Sequence, residues 1–172
     1  MLHIEGEYCP AVVEHCLKWL DPKNPGVNGP VMCAEFAPSQ CKAPKVRKDF
    51  CMDKFEFPNK EGERPTLKVT WTEMKASCEA LGKRLCTRSE WTFACEGPEM
   101  HPYPYGDGYH RDDTACNIDR PWKDPTSKKI TPEELDQSVA SGSLPRCVSS
   151  FGVHDMAGNA DEFIFNEARK PY

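Results

Sequence analysis

Residues 70–97, TWTEMKASCEALGKRLCTRSEWTFACEG, constrain the fold of this chain more than any other stretch, because they write two short helices back to back. Thr70 and Glu73 form a T-x-x-E capping box. The hydroxyl accepts from an early helix amide while the glutamate reaches back to the cap amide. Trp71, Met74, Cys78 and Leu81 then recur at helical spacing, and Gly82 supplies the stop. The device repeats at once with Thr87 and Glu90, after which Trp91, Ala94 and Cys95 line the inward side until Gly97-Pro98 ends the helix. Between the two, Leu85 belongs to the core and Lys83 and Arg84 to its edge, with Arg84 expected to pair with a buried acid or a carbonyl.

Around this pair the sequence is rich in turns. Sixteen prolines, eleven glycines and 38% hydrophobic residues in 172 predict one loop-rich domain with few long helices. A net charge of −5 with scattered lysines and arginines disfavours a nucleic-acid partner. No run approaches the apolar length of a membrane span. The ten cysteines, an even and high count, read as a disulfide framework and hence an exported, periplasmic or extracellular protein. None of them forms the close C-x₂₋₄-C pair of a zinc site. The N-terminus, MLHIEGEYC, lacks the charged and apolar regions of a signal peptide.

Residues 1–48 read as a cysteine-rich, proline-punctuated extension. Cys9, Val12, Val13, Cys16, Leu17 and Leu20 have helical spacing, and the segment is expected to pack on the following domain through disulfides. Residues 49–172 form that domain. It opens with a half-buried strand carrying Phe50, Met52, Phe55 and Phe57, where Glu56 is expected to pair with a neighbouring base. TPEEL at 131–135 predicts a further short helix with Pro132 at its first position.

Several blocks in order, GKRLCTRSEWTFAC at 82–95, YPYG at 103–106, CNID at 116–119 and FGVHDMAGNADE at 151–162, resemble the formylglycine-generating enzyme or sulfatase-modifying-factor domain. The resemblance covers roughly residues 49–166. It implies an α+β fold of irregular, C-type-lectin-like type, with two short helices plus small antiparallel sheets. Glu56 and Asn59 fall at or near the family's strand Glu and Asn. Cys78 and Cys95 resemble cysteines whose disulfide partners lie near the family's C-terminus. Cys86 stands where the family has Pro.

The resemblance also implies calcium, held by hard oxygen donors. One site would use Asn117 and the Ile118 carbonyl. The other would use Asn159, the Ala160 carbonyl and Glu162, with Gly158 allowing the tight approach. The family's oxidation of a peptide cysteine to formylglycine uses copper on two thiolates from a segment after the GN-x-W-E block, and residues 163–172 contain no cysteine. No catalytic residue is therefore carried over, and copper enters only if further chain supplies the thiols. His154 and Asp155 read as packing.

Two functions follow. One is the sulfatase-modifying-factor type, with this chain a catalytically incomplete part of a polypeptide-oxidising protein or completed by a second chain. The other is a disulfide-stapled module binding peptide or glycan, with Tyr103, Tyr105, Tyr109 and Trp122 offering an aromatic groove.

Overall fold

The computed structural model describes residues 1–21, 32–121, 123–124, 126 and 130–167. The fold is α+β. Its strands are β1 (Leu2–Tyr8), β2 (Val12–Val13), β3 (Cys16–Trp19), β4 (Cys33–Phe36), β5 (Gln40–Cys41) and β6 (Val46–Met52). Its helices are α1 (Trp71–Ala80), α2 (Arg88–Glu96) and the single-turn α3 (Pro132–Leu135). The strands pair as three two-stranded antiparallel sheets, β1 with β6, β2 with β5 and β3 with β4.

The seven-residue pairing of β1 with β6 carries the main core. Leu2 opposes Met52, Ile4 opposes Phe50, Gly6 opposes Lys48 and Tyr8 opposes Val46. Side chains alternate across a strand, so Ile4 and Phe50 turn inward and are buried. His3, Glu5, Asp49 and Cys51 stay exposed on the other face. Phe93 of α2 meets that inward face, 1% exposed, with its ring edge-on to Tyr8. A Cβ on Gly6 would lie 3.0 Å from the Phe93 ring, which is why the smallest residue sits there. Ala94, Val153 and Met156 complete the cluster.

The helical spacing of the first twenty residues does not become a helix: β2 and β3 occupy it instead. Two disulfides decide the matter. Cys9–Cys41 joins the neighbourhood of β2 and β5, and Cys16–Cys33 joins β3 to β4, so a cross-strand covalent pairing overrides a local periodicity. Both bridges lie inside the extension. It is joined to the rest by strand pairing and core packing rather than by disulfides to the domain. The strand read as running to Phe57 ends at Met52, and Asn59 fixes the turn beyond it. Its Oδ1 accepts from the Lys54 and Phe55 amides, each at 3.1 Å, and its Nδ2 donates to Asp53 at 3.0 Å.

All three helices begin with a complete capping box, Thr70 with Glu73, Thr87 with Glu90 and Thr131 with Glu134. Glu90 does double service, because Arg84 grips its carboxylate through two bonds of 2.7 and 2.6 Å. A second cluster, Tyr105, Ala115, Cys116 and Cys147, packs around the third disulfide, Cys116–Cys147. The block 151–159 spans both clusters: Val153 and Met156 enter the first and Ala157 packs on the second.

Candidate functional site

Where the two clusters meet lies a buried polar network. Glu56, 8% exposed, finds no base. It accepts instead from Ser141 Oγ at 2.8 Å, Asn159 Nδ2 at 2.6 Å and the Ala160 amide at 3.1 Å. Burial pushes its carboxyl above the usual range, against the pull of these donors. Asn159 Oδ1 accepts from the Val139 amide at 2.8 Å and from Asn117 Nδ2 at 2.9 Å. Asn117 also donates to the Gln137 carbonyl at 2.9 Å, and its Oδ1 accepts from Arg120 Nε. Nearby, fully buried Asp155 accepts from the Gly142 amide at 2.7 Å, its carboxyl raised by burial.

The structure thus brings Asn117 and Asn159, expected at two separate places, into direct contact. Asn159 donates its amide to the Asn117 carbonyl at 3.2 Å. Gly158 makes the approach possible: it has φ +79°, and a Cβ there would stand 2.5 Å from the Asn117 carbonyl oxygen. Ile118 packs against the second cluster, and Ala160 offers Glu56 its amide. Glu162 keeps an exposed face, yet protein atoms crowd its carboxyl. That burial, followed by the charge of Glu56, pushes it up to about 8.

Of these residues, Glu56, Ala160 and Glu162 also line a cleft of about 670 Å³. Met52, Phe55, Phe57, Met74 and Trp91 make much of its lining apolar, while Glu56, Asp161 and Glu162 bring acid to it. Its two long cations are already committed. Lys83 holds Asp53 at 2.8 and 2.9 Å and Arg84 holds Glu90. Among the described residues Asp161 makes no ion pair and leaves the cleft a negative charge, while the raised Glu162 carboxyl is mostly protonated at neutral pH.

Two free cysteines, Cys78 and Cys86, also line this cleft, and Cys51 of β6 borders it. The sequence marked Cys86 as a departure and Cys78 as a disulfide position, but no pattern in it announced that they would share a wall. Cys95 lies apart, enclosed near the Met156 carbonyl at 3.8 Å. Cys116 and Cys147 are bridged. His154 stacks on Phe55 with ring centroids 5.0 Å apart. Of the aromatic set, Tyr105 is 3% exposed and stacks on Tyr103 at 5.4 Å, inside the second cluster. Tyr109 packs edge-on to His101. Trp122 lies outside the described residues.

Fold and site define a disulfide-stapled α+β domain in which a buried carboxylate–amide network backs an acid-lined, partly apolar cleft. Over residues 26–172 the chain matches the family described as "Sulfatase-modifying factor enzyme 1-like domain", and it belongs to that family. It is similar to the "Inactive C-alpha-formylglycine-generating enzyme 2" of Bos taurus, 29% identical over 106 residues, which is 61% of this chain and 34% of the relative. The protein of the same name from Mus musculus is 26% identical over 102 residues, 59% of this chain and 32% of the relative. The chain therefore spans about a third of the length of the curated relatives it matches. No solved structure matches it.

Proposed function

We propose that this chain is a polypeptide-binding domain on a C-type-lectin-like scaffold, and that its own cysteines do not oxidise a peptide cysteine to formylglycine. The observation that carries the proposal is the cleft, where Asp161 has no basic partner among the described residues and stands beside an apolar lining. Such a surface suits an extended segment with a basic and an apolar side chain. A glycan is less well served, because Tyr105 is consumed in packing.

The thiols support the non-catalytic half. A thiolate, not a thiol, is both nucleophile and soft-metal ligand. Six of the ten cysteines are bridged. Burial raises Cys78, and it pushes Cys86 to about 11 and Cys95 to about 12. The relatives' own name, inactive, points the same way. Copper chemistry in the whole protein would need thiolates other than these. Bridged cysteines belong to an oxidising compartment, and no helix among the described residues is long and apolar enough to cross a membrane.

A calcium ion fits the wall at Ala160 and Glu162, where a carboxylate crowded by Glu56 and Asp161 gains from a cation. Among the described residues no three His, Cys, Asp or Glu side chains are grouped for a metal. Oxygens of Asn159 and Ala160 would complete this shell, and those of Asn117 and Ile118 would serve a second site beside it. Asn117 Oδ1 would have to exchange Arg120 for an ion, and Asn159 Oδ1 the Val139 amide and Asn117 Nδ2.

The test is fluorescence anisotropy with labelled unstructured peptides, basic and acidic, at fixed calcium. The basic peptide binds more tightly, and D161N weakens it about threefold, the scale of one exposed charge pair. Equal binding of both peptides overturns the proposal. Conversion of a cysteine peptide to its aldehyde by this chain with copper and dioxygen, followed by mass, overturns the non-catalytic half. Calcium raises the melting temperature of the wild type but not of E162Q; no rise removes the cation.

A further inference from the structure

Asp161, Glu162 and Phe163, which line the cleft, hang between two anchors. On their N-terminal side Glu56 holds the Ala160 amide at 3.1 Å. On their C-terminal side the chain is fastened beyond the cleft, along the first turns of α1 and α2. Trp71 Nε1 donates to the Ile164 carbonyl at 3.2 Å, the Phe165 amide donates to the Cys86 carbonyl at 2.8 Å, and the Phe165 carbonyl accepts from the Arg88 amide at 3.0 Å. Glu167 closes the run. Its carboxylate accepts from the Ser89 hydroxyl at 2.7 Å and the Ser89 amide at 3.2 Å. Lys48 of β6 donates to the same hydroxyl at 2.5 Å, with its ammonium 3.9 Å from the carboxylate and 5.5 Å from the centre of the Tyr8 ring. Ser89 is the second residue of α2, so the helix end adds its own attraction for the anion. Against a burial penalty, the bonds from Ser89 hold the Glu167 carboxyl below its usual range.

We propose that Lys48, Ser89 and Glu167 form a latch that positions Asp161 in the cleft and so sets how strongly the cleft prefers a basic peptide, an inference that rests on the peptide-binding reading above. None of the three side chains lines the cleft, so they act on a ligand only through the chain they hold. Phe165 is 47% exposed, and main-chain bonds open to water part readily when no side chain fastens the end beyond them. An exposed ion pair has its small worth only within about 4 Å. With the latch undone, the span from 161 to 167 is free to carry the Asp161 carboxylate out of that range. The apolar lining does not hang from the latch: Met52 belongs to β6, Phe55 and Phe57 to the turn beyond it, and Met74 to α1. The latch therefore governs the preference for a charged ligand and leaves apolar contact unchanged.

Fluorescence anisotropy on the 172-residue chain tests the latch, with a labelled unstructured peptide carrying one lysine and its glutamine counterpart. Wild type binds the lysine peptide about threefold more tightly. S89A and E167A bring that ratio close to one and leave the affinity for the glutamine peptide unchanged. In a D161N background neither has a further effect, because both act through Asp161. Hydrogen exchange of the segment 161–167, followed by mass, quickens in S89A and E167A. A ratio that survives both substitutions overturns the proposal, as does an equal loss in the D161N background or unchanged exchange. A wild type without lysine preference, but with quickened exchange in both variants, sinks the peptide reading and the role of Asp161 while the latch stands. E167A removes an exposed side chain, so it decides the question even if S89A, at the start of α2, fails to fold.

Discussion

At the scale of single residues, the contacts around Asn117 and Asn159 depend on the absence of a side chain at 158. G158A places a methyl against the Asn117 carbonyl at a positive φ and is expected to cost about 2 kcal/mol, measured by urea unfolding. Glu96 gives a pH test. Burial, then the nearby Glu14 charge, raises its carboxyl to about 7 from 4.5. The folded chain therefore holds this proton more tightly than the unfolded one. The stability it contributes is complete below about 4.5 and is lost as pH rises through about 7. Thermal melts from pH 4.5 to 7.5 should fall in wild type and fall less steeply in E96Q, with the raised Glu162 carboxyl keeping its own share of the slope. Some of this residue-level detail was readable in the sequence: Gly158 announces a close approach, and Arg84 pairs with a buried acid, Glu90. Glu56 was not. A charged residue just past a strand normally seeks a base, and only the fold brings Ser141 and Asn159 to it from 85 and 103 residues away.

Among elements, α2 is the hinge of the core, because it carries Phe93 and its first turn holds the Arg84–Glu90 pair. T87A removes the side-chain acceptor of its box and is expected to cost about 1 kcal/mol, read from the denaturation midpoint. Both principal helices were legible to the residue because capping is local chemistry: donor and acceptor sit three positions apart. The strands of the extension were not legible as such. Cys9, Val12, Cys16 and Leu20 have helical spacing, but which cysteines join is a long-range fact, and Cys9–Cys41 and Cys16–Cys33 impose antiparallel pairs on the segment. β1 did carry its signal, with Leu2, Ile4 and Tyr8 alternating against His3, Glu5 and Glu7.

For the whole molecule, β1 lies outside the residues matched by the family yet fills the core that α2 closes. Removing residues 1–8 strips Phe50 and Phe93 of Ile4 and Tyr8 and leaves β6 with an open edge. The shortened chain is expected to lose its cooperative thermal transition, and retention of the wild-type melting temperature would show that the core stands without β1. The connection between β1 and β6 also has a consequence in time. Tyr8 and Val46 are neighbours in the sheet but 38 positions apart in the chain, a separation whose closure is slow and entropically costly. Once Cys9 and Cys41 are joined, the route from Tyr8 to Val46 runs through the sulfur bridge and a handful of residues. An oxidising environment thereby converts this long-range strand pairing into a nearly local one, so β1 and β6 are expected to pair sooner once Cys9 and Cys41 are joined than before.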